Sequence, residues 1–246
     1  MQKVHLKILG KIDYQKAWDY QGELLKELIG IKRANRLLKE EGEELSPQKH
    51  YFLFCEHLPV YTLGRSGSID HLLYNEQELE ENNISFYKIN RGGDITFHGL
   101  GQVVGYPIFD LDEFFTDVHK YVRFIEEAII RTLADFGLEA GRVEGYTGVW
   151  LTGNNVLPER KICAIGVHLS RWVTMHGFAL NVNTDLKYFN HIVPCGISED
   201  NKTVTSMAVE LKRVVDMEKV QERILFHFSQ LFGFELADST ESLTSD

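Results

Sequence analysis

The sequence has little of three things that would place it in a familiar class. It contains only three cysteines, Cys55, Cys163 and Cys195, which lie far apart and form no CxxC pair. An odd number of widely spaced cysteines argues against a disulfide framework and fits free thiols in a reducing compartment. No apolar run is long enough to cross a membrane, and the N-terminus lacks the apolar core of a signal peptide. We therefore expect a cytoplasmic protein that does not contact membranes.

An excess of positive charge is also absent. The 246 residues include 26 Lys and Arg against 36 Asp and Glu, which gives a net charge of −10. Proteins that bind nucleic acid in general are normally basic, so we do not expect a nucleic-acid partner. With 43% hydrophobic residues, the composition is that of an ordinary globular protein. The length is sufficient for one large domain with a substantial core.

Hydrophobic periodicity predicts strands interrupted by helices, with no internal repeat and no linker. We predict helices over residues 14–31, with Asp13 as N-cap, 117–136 and 217–232. The predicted strands span residues 4–9, 51–55, 84–89, 95–98, 103–109, 148–151, 161–169 and 174–182, with a hairpin turn at 170–172. Grouped strands of this kind favour one α+β domain, a mixed β-sheet flanked by helices, over residues 1–236.

Three segments fall outside these main elements. Residues 68–83 indicate short helical turns, and the charged residues 32–49 indicate a solvated extension of the first helix or a loop. Residues 237–246 are polar and acidic, and we expect a disordered tail there.

The first candidate site is a glycine-rich segment, residues 91–107, with the sequence RGGDITFHGLGQVVGYP. Glycine at this density weakens strands and suits a backbone that must approach another group closely. Its spacing fits neither a dinucleotide fingerprint nor a P-loop. The glycines could serve turns and a bulge alone, but Arg91, His98 and Gln102 favour a loop that faces a substrate.

The second candidate is Cys195, which lies between Pro194 and Gly196. A free thiol is mostly protonated at neutral pH, so a nucleophilic cysteine needs a nearby cation or base. The alternative is an inert, buried cysteine, and the apolar surroundings of Cys55 and Cys163 fit that alternative better.

The third candidate is the pair of strands at 161–169 and 174–182. Ala164 and Gly166 share one face of the first strand, opposite Cys163, Ile165, Val167 and Leu169. In the second strand Gly177 and Ala179 share a face. If the strands form a hairpin, these small residues predict a shallow slot for a slender acyl or pantetheine chain. Close packing of a helix on the sheet is the alternative.

The sequence gives weaker indications of a metal site and of a functional lysine. His98, His176 and His191 could join Cys195 as zinc ligands, but Pro194 argues against a helical turn there, so we predict no metal and no cofactor. Lys161 opens the first strand of the pair, and an isolated lysine is usually a surface charge.

Taken together, the motifs resemble the lipoyl(octanoyl) transferase family. The segment RGGDITFHGLGQ is similar to its RGG-x-x-T-aromatic-H-G-x-G-Q signature, KICAIGVHLSRWVTMHGFALNVNTDL to its second block, and PCGI to its catalytic block. The resemblance covers residues 51–207. Leu100 stands where the family commonly has proline, and residues 31–49 look like an insertion.

The resemblance implies a fold like the catalytic domains of biotin and lipoate protein ligases. It implies transfer of an octanoyl group from octanoyl-acyl carrier protein to a lysine of lipoyl domains, in 2-oxo acid dehydrogenase E2 subunits and glycine cleavage H protein. Cys195 would form the thioester intermediate, with Lys161 as its acid/base partner. The implied substrate-binding residues are Arg91, Gly92, Gly93, Asp94, Ile95, Thr96, Phe97, His98, Ala164, Ile165, Gly166, Gly177, Phe178 and Ala179.

Four other activities remain open at this stage. They are an ATP-dependent lipoate or biotin ligase, an amidotransferase acting between lipoyl-bearing proteins, a cysteine hydrolase using Cys195 and His176, and a module that only docks carrier or lipoyl domains.

Overall fold

The computed structural model describes residues 1–153, 157–193 and 202–237. The helices are α1 (Tyr14–Glu41), α2 (Glu76–Glu81), α3 (Val118–Asp135), α4 (Met207–Leu211) and α5 (Met217–Phe232). The strands are β1 (Gln2–Ile12), β2 (Tyr51–His57), β3 (Val60–Leu63), β4 (Ser85–Lys88), β5 (Ile95–His98), β6 (Gln102–Ile108), β7 (Ala140–Val143), β8 (Tyr146–Leu151), β9 (Glu159–Ser170), β10 (Val173–Asn181), β11 (Lys202–Val204) and β12 (Phe234–Leu236). In these ranges, no helix has both the length and the apolar character needed to cross a membrane.

The described strands form two sheets. A nine-stranded sheet has the order β12-β1-β2-β6-β10-β9-β8-β7, and β11 pairs with β9 beside this path. The pairings of β1 with β2 and with β12 are parallel, while β6, β10, β9 and β8 pair antiparallel, so the sheet is mixed. A smaller sheet has the order β4-β3-β5. This arrangement confirms the predicted mixed sheet flanked by helices.

Helices cover both faces of the large sheet. On one face α3 and α5 contact the buried side chains of Cys163, Phe178 and Leu180. On the other face α1 contributes Leu24 and Leu28 to a second core cluster that includes Tyr106 and Ala179. Side chains alternate between the faces of a strand, so neighbouring residues of β10 belong to different clusters. The α1 face is the one that carries the small residues of β9 and β10.

The first and last helices begin where the sequence predicts. The side chain of Asp13 accepts a hydrogen bond from Lys16 N, and α5 has the predicted bounds. Helix α1 continues beyond its predicted end to Glu41, and Lys32 Nζ in this extension contacts Asp110 Oδ1 at 2.8 Å. Of the two predicted alternatives for residues 32–49, the helical extension is found up to Glu41, and a loop follows it. The expected tail after residue 237 lies outside the described residues.

The turn between β9 and β10 is a two-residue hairpin, as predicted. Arg171 and Trp172 have φ values of 53° and 67°. Positive φ at both central residues defines a type I′ turn, whose twist matches that of the flanking strands. The turn fixes the register in which Gly166 pairs with Gly177 and Ala164 with Ala179.

Candidate active site

A cavity of about 100 Å³ lies over the α1 face of the large sheet. Its floor is the hairpin of β9 and β10, where Ala164, Gly166, Gly177 and Ala179 form two adjacent pairs of small residues. The predicted small-residue slot is therefore present. Part of it is filled by backbone, because a Cβ on Gly166 would lie 2.9 Å from Gly92 O, and α1 packs against the floor at Ala179.

The segment before β5 forms one wall of the cavity. Gly92 N donates to Val167 O at 3.0 Å, which fastens this segment to β9. Arg91 is buried, and its Nη2 atom donates to Thr62 O at 2.6 Å and to Thr62 Oγ1 at 2.9 Å. Asp94 is held by Ile95 N, at 2.7 Å from its Oδ1, and by the His71 ring. The wall thus presents fixed polar groups.

A chain of buried hydrogen bonds connects this wall to the large sheet. His98 Nδ1 lies 3.2 Å from Gln102 Oε1, which can only accept, so we assign the proton of His98 to Nδ1. Gln102 Nε2 donates to Phe97 O and to Asn181 Oδ1, at 3.1 and 2.9 Å. Asn181 Nδ2 in turn donates to Thr205 O at 3.0 Å. The chain therefore joins the small sheet to β6 and β10.

Two cavity histidines are uncharged in the folded protein. Burial, together with His57 and Arg91, holds the pKa of His98 well below its ordinary value. Burial, then Arg91 and His168, lowers the pKa of His176 to about 3. His176 also has a φ of 61°, and its Nε2 donates to Asn90 Oδ1 at 2.9 Å. Both rings therefore act as neutral hydrogen-bonding groups near pH 7.

Aromatic side chains close the cavity beside these histidines. Tyr14, at the first position of α1, stacks on His98 with 5.9 Å between ring centroids. Tyr106 is buried, and its hydroxyl lies 2.7 Å from His57 Nε2. His57 Nδ1 faces Ile12 O at 3.1 Å and must donate there, so Nε2 accepts from Tyr106. The hydrogen bond to His57 thus fixes the orientation of the Tyr106 ring.

Lys161 reaches the cavity because β9 is irregular at its start. Strict alternation would place Lys161 on the face of Cys163, away from Ala164. In the structure, Val149 pairs with Cys163 and Trp150 pairs with Lys161, so Ile162 is an extra residue opposite β8. Ile162 and Cys163 both face the α3 side, and Lys161 shares the cavity face with Ala164. This β-bulge re-aims the lysine.

Most of the predicted site residues meet at this cavity. The residues that line it are Arg91, Asp94, Ile95, Thr96, His98, Lys161, Ala164, Ile165, Gly166, Gly177, Phe178 and Ala179. Gly92 and Gly93 are exposed beside it. The ring of Phe97 stacks on Tyr188 at 4.5 Å within the core of the small sheet, so it does not line the cavity. Cys195 lies outside the described residues.

Further lining residues were not among the predicted site residues: Tyr14, Gln102, Tyr106, Thr147, His176, Asn181, Phe189 and Val204. Several of them stand inside the quoted motif blocks, and Gln102 was singled out as a polar group of the glycine-rich segment. Tyr14 lies far from those blocks in sequence, and an aromatic residue directly after the N-cap is its only signal. His191, considered above with His98 and His176, instead stacks on Tyr74 at 4.0 Å.

The two other cysteines are buried in the core. Cys55 is 1% exposed and Cys163 is fully buried. Burial raises the pKa of both thiols far above the ordinary value, and Glu56 adds to this at Cys55. Neither thiol therefore supplies a thiolate near neutral pH, which confirms their interpretation as structural cysteines.

Comparisons with known proteins identify the relatives of this chain. The family described as the lipoyl protein ligase A/B catalytic domain matches residues 13–229. The chain is 56% identical to an octanoyltransferase of Cytophaga hutchinsonii over 95% of its own length and 94% of that protein. It is also 56% identical to an octanoyltransferase of Christiangramia forsetii, over 96% of this chain and 98% of that one.

Solved structures share the fold at low sequence identity. One is that of a bi-partite lipoate protein ligase and its E2 lipoyl domain from Thermoplasma acidophilum. It matches with a TM-score of 0.69 and 17% identity, over 99% of this chain and 89% of that chain. Lipoate-protein ligase A bound with ATP matches with a TM-score of 0.65 and 16% identity, over 98% of this chain and 90% of that chain. These likenesses confirm the expected ligase-like α+β fold.

Proposed function

Because the chain belongs to the lipoyl protein ligase A/B catalytic domain family, we propose that it transfers an octanoyl group from octanoyl-acyl carrier protein to a lysine of a lipoyl domain. Membership confirms the resemblance in the motifs. The similar octanoyltransferases cover nearly the whole chain, so the protein is an acyltransferase. The observation that carries the proposal is that Lys161 shares one cavity with the glycine-rich wall and with the small residues of β9 and β10.

In the proposed reaction Cys195 is the nucleophile. The Lys161 ammonium stabilises the Cys195 thiolate, which attacks the carbonyl carbon of the octanoyl thioester. The bond from carbonyl carbon to carrier sulfur breaks, and the departing thiolate takes a proton from Lys161. The products of this half-reaction are octanoyl-Cys195, the free carrier thiol and a neutral Lys161 amine.

The second half-reaction restores the enzyme. The amine of the acceptor lysine attacks octanoyl-Cys195, an amide bond forms, and the bond to Cys195 sulfur breaks. The amine proton passes to neutral Lys161, so one residue acts first as acid and then as base. Conversion of a thioester into an amide is downhill, and the cycle needs no ATP.

The cavity suits this chemistry because its walls are fixed and the side chains on its floor are small. Ala164 and Ala179 carry only methyl groups, while the missing side chains of Gly166 and Gly177 let the backbone of Gly92 and Gly105 pack closely on the hairpin. The neutral rings of His98 and His176 add no charge beside an apolar chain. Arg91 is already bonded to Thr62, so its position does not depend on substrate.

The proposed acceptors are the lipoyl domains of 2-oxo acid dehydrogenase E2 subunits and the glycine cleavage H protein. The proposed compartment is the cytoplasm, where these acceptors and the carrier protein would meet the enzyme with its cysteines reduced. The octanoylated lysine would be the starting point of lipoate assembly on the domain.

An acylation assay tests the proposal. The enzyme is incubated with octanoyl-acyl carrier protein, without ATP or acceptor, and its intact mass is measured. We expect one added octanoyl group, which Cys195→Ala abolishes and a lipoyl domain removes. Cys55→Ala and Cys163→Ala are matched controls, and both should retain the adduct because those thiols are buried. Normal turnover by Cys195→Ala would refute the nucleophile assignment.

The same assay distinguishes the alternatives. An ATP-dependent ligase would acylate the lipoyl domain only when ATP and Mg²⁺ are added, and it would form no adduct on Cys195. An amidotransferase would prefer an octanoylated protein over the acyl carrier protein as donor. A hydrolase would release free octanoate, and a docking module would bind its partners without any adduct.

A further inference from the structure

The side chain of Lys161 lies against the ring of Trp150. The two residues are direct partners in the pairing of β8 with β9. Lys161 Nζ is 4.6 Å from the centroid of the Trp150 ring. Trp150 is 1% exposed, and its ring meets that of Tyr146 edge-on at 5.8 Å. A cation over the face of a desolvated tryptophan is attracted by the negative face of the ring.

The backbone of β8 makes this contact possible. Gly148 has a φ of 125°, and a Cβ there would lie 2.6 Å from Cys163 O and 3.6 Å from Lys161 Cε. A side chain here would collide with the β9 backbone at Cys163 O, so glycine lets β8 approach β9 closely beside the stem of the lysine. Gly148 N also donates to Glu126 Oε1 at 3.1 Å, which ties this part of β8 to α3. The strand that carries the indole is fixed at the level of Lys161.

We propose that Trp150 is a positioning residue for the acyl transfer, whose ring holds the Lys161 ammonium at the cavity and favours its protonated form. The proposal rests on the proposed function, in which this ammonium protonates the departing carrier thiol. The ring attracts the ammonium but not the neutral amine. Loss of the ring should therefore let Lys161 release its proton at a lower pH.

Charged and titratable groups surround Lys161 in the part of the chain that the structure describes. On the neighbouring elements they are Glu126 with Arg123 and Arg142, Glu159, Arg160 with Glu210, and Lys202. In the cavity they are Arg91, Asp94, His98, His176, Tyr14 and Tyr106, and Cys163 lies on the opposite face of the sheet. Substitution of Trp150 leaves all of them in the chain, so a changed pH profile reports on the ring.

The test is the pH dependence of the single-turnover rate of acylation by octanoyl-acyl carrier protein. Trp150→Leu should shift the alkaline limb of the pH–rate profile to lower pH by about 0.5–1 pH unit. Trp150→Phe, which keeps an aromatic face, should shift it less. At saturating donor, the Trp150 variants should show this shift in the rate constant of acylation. Their apparent affinity for the donor should be largely unchanged.

The chain offers a matched control on the same strand. Lys202 Nζ lies 4.7 Å from the centroid of the Tyr146 ring, and neither residue lines the cavity. Tyr146→Leu therefore removes a similar cation–π contact and a neighbour of Trp150, yet leaves the partner of Lys161 in place. Its alkaline limb should match that of the wild type.

An alkaline limb that is unchanged in both Trp150 variants would overturn the proposal. So would an equal shift in Tyr146→Leu, because the effect would then come from strand packing. If Trp150→Leu does not fold, Trp150→Met, which also lacks an aromatic face, takes its place. Lys161→Ala separates this proposal from the proposed function. If Lys161→Ala keeps the alkaline limb of the wild type, the acid/base role of Lys161 is wrong. If Lys161→Ala loses this limb and the Trp150 variants show no shift, only the role of Trp150 is refuted.

Discussion

At the scale of single residues, the buried histidines of the cavity and its surroundings form hydrogen bonds without carrying charge. Burial is the main reason that the pKa of His176 falls to about 3 and that of His57 to about 4. The pKa of His98 is also lowered, mainly by burial. These rings fix tyrosine, glutamine and asparagine side chains without carrying charge. Among the described residues that line the cavity, the positive charges are then those of Arg91 and Lys161.

The neutral state of His176 makes stability depend on pH. Between its folded pKa of about 3 and the ordinary value of 6.5, the unfolded chain binds a proton that the folded chain does not. The free energy of unfolding therefore falls as the pH drops through this window, by up to about 1.4 kcal/mol per pH unit from this residue. His176→Asn, which tolerates the positive φ, should reduce the loss of stability between pH 7 and pH 5 by about 2 kcal/mol. Urea unfolding at the two pH values measures it, and an equal loss in both proteins would contradict the assignment.

At the scale of elements, the bulge in β9 shows what periodicity can and cannot predict. Alternation correctly places Ala164, Gly166, Gly177 and Ala179 on one face, because the hairpin is regular there. Alternation fails at Lys161, because the extra residue opposite β8 shifts the phase by one position. No pattern in the sequence marks this shift, and only the motif indicated that the lysine belongs to the site.

The hairpin turn carries strain that a substitution should relieve. Arg171 is exposed with a φ of 53°, a conformation that costs most L-residues energy but suits asparagine. Lys32 Nζ donates to the backbone oxygen of Arg171, a contact that does not need the arginine side chain. Arg171→Asn should raise the free energy of unfolding by about 0.5–1 kcal/mol. Arg171→Ala keeps the strain and should give no such gain in urea unfolding, and equal effects of the two would argue against a strained turn.

At the scale of the whole molecule, the site depends on contacts between segments distant in sequence. The three long helices could be predicted from a cap and periodicity, and most of the wall and floor from the motif blocks. Helix α4 and strands β3, β7, β11 and β12 were not predicted, since each is short and shows no marked periodicity. Strands β4 and β5 are equally short, but the glycine-rich turns beside them mark their ends. Tyr14 could not be placed in the site, because its contact with His98 exists only once α1 lies over the sheet.

Gln102 links the small sheet to the large sheet through buried hydrogen bonds. It is 1% exposed, and it bonds His98 on the small sheet and Asn181 on the large one. Gln102→Leu would leave the His98 Nδ1–H, Phe97 O and Asn181 Oδ1 without this partner. Since a buried polar group that loses its hydrogen bond is costly, we expect a loss of about 2–4 kcal/mol in the free energy of unfolding.

Two further variants sharpen this prediction. Gln102→Glu keeps an acceptor for His98 but sets a carboxylate oxygen against Phe97 O and Asn181 Oδ1, so it should also destabilise. Gln15→Leu removes a partly exposed glutamine together with its solvent-exposed hydrogen bond to Asp19, and should cost less than about 0.5 kcal/mol. In the intact-mass assay, Gln102→Leu should slow formation of octanoyl-enzyme by about tenfold to a hundredfold, because His98 and the β6–β10 floor would no longer be held together. A variant that unfolds like the wild type and acylates at its rate would mean that packing alone joins the two sheets.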